Sequence, residues 1–155
     1  MVSNLVLRYY DSGDAQQCSS LMQDHFRNHA TNLPIEVRTQ IANSRTAEYV
    51  QKITKDRIIV VALVDDEIVG MGTLKDNEIR HMYVQSEYQK KGVSSAILNF
   101  IEKEAYYKGY SSLVVNSIIH SIKFYLKNGF RSLIKTQIER HGCILEAILV
   151  EKIIE

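Results

Sequence analysis

The stretch Val84-Gln85-Ser86-Glu87-Tyr88-Gln89-Lys90-Lys91-Gly92-Val93-Ser94-Ser95-Ala96 carries the residue types and spacing best suited to chemistry. A run of strand character ends at Val84, and an amphipathic pattern begins just past Gly92. A helix starting there leaves its first N–H groups unpaired and turns the positive end of its dipole outward, which suits a phosphate or diphosphate. Gly92 has no side chain to hold an anion away from the backbone. Ser94 and Ser95 are small enough to keep that approach open, and Lys90 and Lys91 add positive charge. A hydrogen bond to a charged group contributes about 1.5–3 kcal/mol, so several such amides would hold a diphosphate firmly. Read alone, Gln-x-x-Gly-x-small also describes a solvated, lysine-bearing turn that caps a helix.

The elements that must position this segment follow from periodicity. Leu5 to Tyr10 reads as a first strand, closed by Asp11-Ser12-Gly13-Asp14. Ala15, Cys18, Leu21, Met22 and Phe26 recur at helical spacing. From His29 to Arg45 the pattern is weak. Pro34 suits the first turn of a short helix, and Tyr49, Val50 and Ile53 line one side of another. Ile58–Val64 and Glu67–Leu74 flank Asp65-Asp66 as a β-hairpin, and Glu78–Val84 continues the meander. A helix from about Ser94 to Lys108 has Ile97, Ile101 and Ala105 on one face, with Gly109 as its C-cap. A strand at Ser112–Ser117, a helix at Ser121–Asn128 ended by Gly129, and strands at about Ser132–Glu139 and Ile144–Lys152 around His141-Gly142 complete the chain. Strands alternating with single helices predict an α/β (α+β) fold, a mixed sheet with a parallel pair around Glu78–Ser117.

With 155 residues, 45% of them hydrophobic, the chain suits one domain (1–155) with a real core. A net charge of +1 argues against nucleic acid or an anionic membrane as partner. Cys18 and Cys143 lack metal-ligand spacing, so no metal is expected. The start of the chain is too short and polar for a secretory core, and the longest apolar run, Ile58–Val64, is strand-length. A cytoplasmic location is the expectation.

The segment after Val84 resembles the acetyl-CoA-binding motif of the Gcn5-related N-acetyltransferase (GNAT) superfamily. In that family a strand ending in valine runs into Gln/Arg-x-x-Gly-x-Gly/Ala. Gln89, Lys90, Lys91, Gly92, Val93 and Ser94 occupy those positions, and Ser94 departs from the usual glycine or alanine. Phe124-Tyr125-Leu126-Lys127-Asn128-Gly129-Phe130 resembles the family's Phe-Tyr-x-x-x-Gly-Phe, and Leu113-Val114-Val115-Asn116 its splayed strand. Ser121 stands where many members have alanine. The resemblance covers nearly the whole chain. It implies a mostly antiparallel sheet of about seven strands with helices on both faces, and acetyl transfer from acetyl-CoA to an amine.

A protonated amine must lose a proton before it attacks, at a cost of roughly 4–5 kcal/mol at pH 7 for a lysine-like group. Glu78 lies six residues before Val84, where the histone-acetylating branch carries its glutamate, and the resemblance implies a general base there. Its alternative is a polar residue at a strand start. His81 is the competing base because histidine titrates near neutrality, or else a structural histidine. Strict alternation puts Glu78, Arg80, Met82 and Val84 on one face and Ile79, His81 and Tyr83 on the other, so a bulge is needed for both bases to face one site. By resemblance Tyr125 supports the departing thiolate. Met82, Tyr83 and Val84 would meet pantetheine along the strand, with Asn116, Ser121 and Phe124 across the slot.

The acceptor, a small-molecule or peptide amine, is not legible. The resemblance places its site in His29–Lys55 and Glu139–Cys143; Asp24, Glu36 and Glu48 offer to attract a cationic amine or are simply solvated. A non-catalytic acyl-CoA-binding regulatory module is the alternative function. The closing strand Ile144–Lys152 is a candidate for pairing with a second copy in a homodimer.

Overall fold

A computed structural model of the chain describes residues 2–155. β1 (Leu5–Tyr9) leads through a short 3-10 turn into α1 (Ala15–Asp24), which ends in a π-helical turn at His25–His29. α2 (Ile35–Ser44) and α3 (Ala47–Ile53) follow. The meander β2 (Ile58–Val64), β3 (Glu67–Lys75) and β4 (Glu78–Val84) comes next, then α4 (Val93–Tyr107), β5 (Ser112–Ile118), α5 (Ile119–Lys127), β6 (Arg131–Arg140) and β7 (Cys143–Ile153). One seven-stranded sheet results, in the order β1-β2-β3-β4-β5-β7-β6. Every pairing is antiparallel except β4 with β5. The expected mixed, mostly antiparallel sheet with one parallel pair is therefore the observed one.

β2 shows why helices must cover both faces. Val60, Ala62 and Val64 belong to the core beneath α4, while Ile59, Val61 and Leu63 belong to the core beneath α1 and α3. A strand apolar on both sides cannot leave either face to water. The turn at Asp65-Asp66 has both residues at positive φ, 50° and 65°. That is the conformation a two-residue hairpin requires and aspartate tolerates.

Three expectations need correction. β7 lies between β5 and β6, so it has no open edge for a second copy; β1 and β6 are the edge strands. α5 begins two residues earlier than Ser121, straight off the end of β5. The C-cap of α4 is Lys108, and Gly109 is the left-handed residue after it (φ 90°), with bonds from Tyr110 N–H to Ala105 and from Gly109 N–H to Tyr106. Among the described residues, no helix is long and apolar enough to cross a membrane.

Candidate active site

β4 and β5 run parallel but share a single register position, Glu78 with Val114. A bond of 3.0 Å from Val114 N–H to the Asn77 carbonyl closes the narrow end. Past that point the strands diverge, which leaves the β5-facing edge of β4 without a strand partner. An extended ligand bearing amides can pair with such an edge as an added strand would.

The β3–β4 ladder shifts register at the same place. Thr73 pairs with His81 but Leu74 pairs with Ile79, so Arg80 is the extra residue of a bulge. Ile79 and Met82 both pack in the core under α4, and Glu78 and His81 consequently lie together on the other side. This corrects the strict alternation that grouped Glu78 with Met82. Arg80 folds back so that its Nε sits 2.8 Å from the Glu78 carboxylate. Glu78 also accepts a long bond from Asn116 Nδ2 (3.4 Å), and Asn116 Oδ1 accepts from Thr136 (3.0 Å).

At the other end of the slot stands the start of α4. Gly92 is its N-cap at φ 87°, and Lys90 is also left-handed at φ 59°. Ala96 N–H makes the first turn's bond, 3.0 Å to the Gly92 carbonyl. The N–H groups of Val93, Ser94 and Ser95 thus precede the helical ladder and have no intrahelical acceptor. Gln89 ties the loop to the strand end by donating from Nε2 to the Val84 carbonyl (3.0 Å). An added Cβ at Gly92 would meet nothing within 4 Å. The glycine is therefore required by its backbone conformation rather than by crowding within the chain.

Crowding acts instead on two glycines that sequence reasoning passed over. A Cβ on Gly72 would stand 2.6 Å from Ile97 Cγ2 and 2.9 Å from Ile101 Cδ1, and one on Gly70 would stand 3.0 Å from Ile97 Cδ1. These positions let α4 lie close on β3, which fixes where its N-terminus points. Gly72→Val is expected to overpack this contact by about 1–3 kcal/mol. For a chain of this size that lowers Tm by roughly 2–12 °C. An unchanged melting temperature would mean that Ile97 and Ile101 yield freely.

Tyr125 is held from below. The last turn of α5 closes with Phe130 N–H bonded to the Tyr125 carbonyl (3.1 Å) and Gly129 N–H bonded to the Leu126 carbonyl (3.2 Å), with Gly129 at φ 94°. This cap brings the residue after the glycine back onto the third residue before the cap, and the Tyr125 and Phe130 rings meet edge-on at 5.3 Å. The Phe-Tyr-x-x-x-Gly-Phe spacing is thus a device for fixing the tyrosine ring. Burial pushes its phenol well above the ordinary 10, so the hydroxyl stays protonated.

His81 Nδ1 lies 2.9 Å from Thr73 Oγ1. Burial, reinforced by Arg45, Arg57, Arg140 and Arg80, lowers its pKa to about 3. His25, brought into the site by the π-helical turn, is lowered to about 4 by burial and by His29, against the opposing pull of Asp24. Both folded-state values lie below the ordinary 6.5, so the unfolded chain takes up protons that the folded chain refuses. Stability from these groups is complete above about pH 6.5 and is lost as pH falls toward 4 and then 3. Tm is expected to decline already between pH 6.5 and 5, above the range where ordinary carboxylates titrate. A His25→Gln, His81→Asn double variant should flatten that slope. A flat profile in the parent would show that both imidazoles protonate freely in the fold.

These pieces line one cavity of about 590 Å³. Of the residues singled out from sequence, His81, Met82, Tyr83, Val84, Gln89, Lys90, Ser94, Asn116, Ser121, Phe124 and Tyr125 reach it. Glu78, Lys91, Gly92, Val93 and Ser95 do not line it; Val93 turns its side chain into the core. Sequence reasoning missed His25, His29 and Arg140, which do line it. The only signal for the first two was their i, i+4 spacing, and Arg140 lay inside an acceptor region named without a residue.

The acetyltransferase (GNAT) domain family profile matches residues 22–146. An uncharacterized N-acetyltransferase of Escherichia coli K12, YafP, is 27% identical over 145 residues, 91% of each chain. Among solved structures, a GCN5-related N-acetyltransferase from Rhodopseudomonas palustris superposes with a TM-score of 0.87 at 21% identity over 99% of both chains. The PaiA N-acetyltransferase of Thermoplasma acidophilum, in complex with coenzyme A, superposes at 0.76 with 19% identity over 96% of this chain and 98% of its own.

Proposed function

The chain belongs to the acetyltransferase (GNAT) domain family, and from that premise we propose that it transfers acetyl from acetyl-CoA to a primary amine of a small molecule or peptide. Attack is direct, in a ternary complex, with no enzyme nucleophile. The observation that carries this reading is a single cavity that runs from Lys90 and Ser94 at the start of α4, along the open edge of β4, to Tyr125 and His81.

When bound, acetyl-CoA supplies an activated thioester. The N–H groups of Val93, Ser94 and Ser95, with Lys90, hold its diphosphate. The backbone of Met82, Tyr83 and Val84 pairs with the pantetheine amides. Tyr125 donates a hydrogen bond to the departing sulfur. His81 is neutral throughout the physiological range and accepts a hydrogen bond from the amine or from a water. The Glu78 carboxylate lies just behind the cavity wall on the same side of β4, joined to the lining residue Asn116, and takes the proton through water. Glu78→Gln is expected to lower kcat/KM tenfold or more at pH 7 and to recover toward pH 9, where more amine is already deprotonated. A loss equal at both pH values would remove Glu78 from that role.

The function itself is tested by calorimetric titration with acetyl-CoA, followed by a thiol-release assay over a panel of primary amines. Binding with amine-dependent thiol release is the expected result. Binding without release for any amine would favour a regulatory acyl-CoA-binding module. No binding would overturn both.

A further inference from the structure

We infer that the acceptor is a small amine carrying its own anionic group, a carboxylate or phosphonate near the amine, and that Arg140 binds that group. The inference rests on the acetyl-transfer reading of the same cavity and adds the class of acceptor.

No aspartate or glutamate lines the cavity, while Arg80 and Arg140 both do. The two arginines differ in what they already hold. Arg80 is matched by Glu78 at 2.8 Å. Arg140, half-buried at the end of β6, makes one hydrogen bond among the described residues, from Nη1 to the Glu139 carbonyl at 3.1 Å, and no ion pair. Its remaining donors are arranged in the fork that grips a carboxylate or phosphonate with two parallel bonds. Arg45 adds a second unmatched charge nearby. It stacks on Phe26, a cavity residue, at 5.7 Å and on Tyr49 at 4.4 Å, and its Nε is buried with no partner. After burial, the positive charges of Arg45 and Arg140 are among the causes that hold the His81 pKa down. Partly buried cations without counter-charge are unfavourable until an anion joins them.

The acidic residues that sequence reading offered for a cationic acceptor, Asp24, Glu36 and Glu48, do not reach this cavity. A polyamine or a lysine-rich peptide would therefore bring extra positive charge against Arg140, while Glu78 is already paired with Arg80 and Asp24 with His29, which selects against such acceptors. An amine whose own charge is balanced by a neighbouring anion meets the opposite situation.

The test reads binding on protein saturated with coenzyme A, so it needs no turnover and is independent of whether acetyl transfer occurs. Three pairs are titrated by calorimetry: L-phenylalanine with phenethylamine, L-leucine with 3-methylbutylamine, and 2-aminoethylphosphonate with ethylamine. Spermidine serves as the polycation. The anionic member of a pair is expected to bind at least tenfold more tightly than its neutral-tailed partner, and the first two pairs against the third separate carboxylate from phosphonate. Arg140→Gln should erase the difference while coenzyme A affinity is unchanged, and Arg140→Lys should retain part of it. Equal or weaker binding of every anionic member, tighter binding of spermidine, or a difference that survives Arg140→Gln would each overturn the inference. Failure of the transfer reading shows separately, as acetyl-CoA binding without amine-dependent thiol release.

Discussion

Gly92→Asp is expected to weaken acetyl-CoA binding at least a hundredfold in calorimetric titration, with Tm within a few degrees of the parent. Aspartate places a carboxylate beside the N–H groups of Val93, Ser94 and Ser95, where the proposed function puts a diphosphate. Two like charges about 4 Å apart at an effective dielectric near 20 repel by about 4 kcal/mol, which is roughly a thousandfold, and partial exposure reduces that figure. Any side chain at φ 87° also incurs backbone strain. Gly92→Asn separates the two effects, because asparagine tolerates the left-handed conformation and carries no charge. An added side chain meets no neighbour within 4 Å. Asparagine should therefore bind acetyl-CoA within about tenfold of the parent. Equal losses in both variants would assign the effect to strain, and no loss in either would move the diphosphate away from α4.

The contrast between Gly92 and Gly72 shows where sequence is legible. Gly92 sits between a strand run and a helical run, and its role follows from local pattern alone. Gly72 lies mid-strand, and its meaning depends on Ile97 and Ile101, residues of a helix some 25 positions later. The strands of the meander were readable because β2 is apolar on both faces and its turn is Asp-Asp. The bulge at Arg80 was not, because one extra residue in a seven-residue strand leaves no compositional mark while it reverses the facing of all that precede it. Glu78 and His81 could therefore be named as competing bases, and as a pair only on the condition of a bulge that the sequence does not reveal.

The acceptor half was the least legible for a related reason. His25 and His29 reach the cavity through a π-helical turn at the end of α1, a local widening of the helix that periodicity at 3.6 residues does not anticipate. Arg140 becomes meaningful only once Arg80 is seen to be engaged by Glu78 and Arg140 is not. A net charge of +1 for the chain conceals a cavity lined by arginine and no carboxylate.

Tyr125→Phe is expected to lower kcat about a hundredfold while leaving KM for acetyl-CoA within threefold. The ring would keep its edge-on contact with Phe130 and the cap at Gly129, since neither involves the hydroxyl. Folding and the cavity wall are thus preserved, and the variant removes one donor. Burial holds the phenol above its ordinary value, whereas a thiol titrates near 8.5. Full proton transfer from Tyr125 to the leaving thiolate therefore runs uphill. What the hydroxyl can supply is a hydrogen bond that strengthens as charge develops on sulfur, acting at the transition state and not on the ground state. Loss of one such donor in a buried site typically costs a hundred- to a thousandfold in kcat, and the lower end fits an open cavity that admits water. A pre-steady-state measurement would show the chemical step slowed by the same factor as kcat. If kcat falls less than threefold, a water or backbone donor supports the sulfur instead. A large rise in KM with unchanged kcat would make Tyr125 a binding residue.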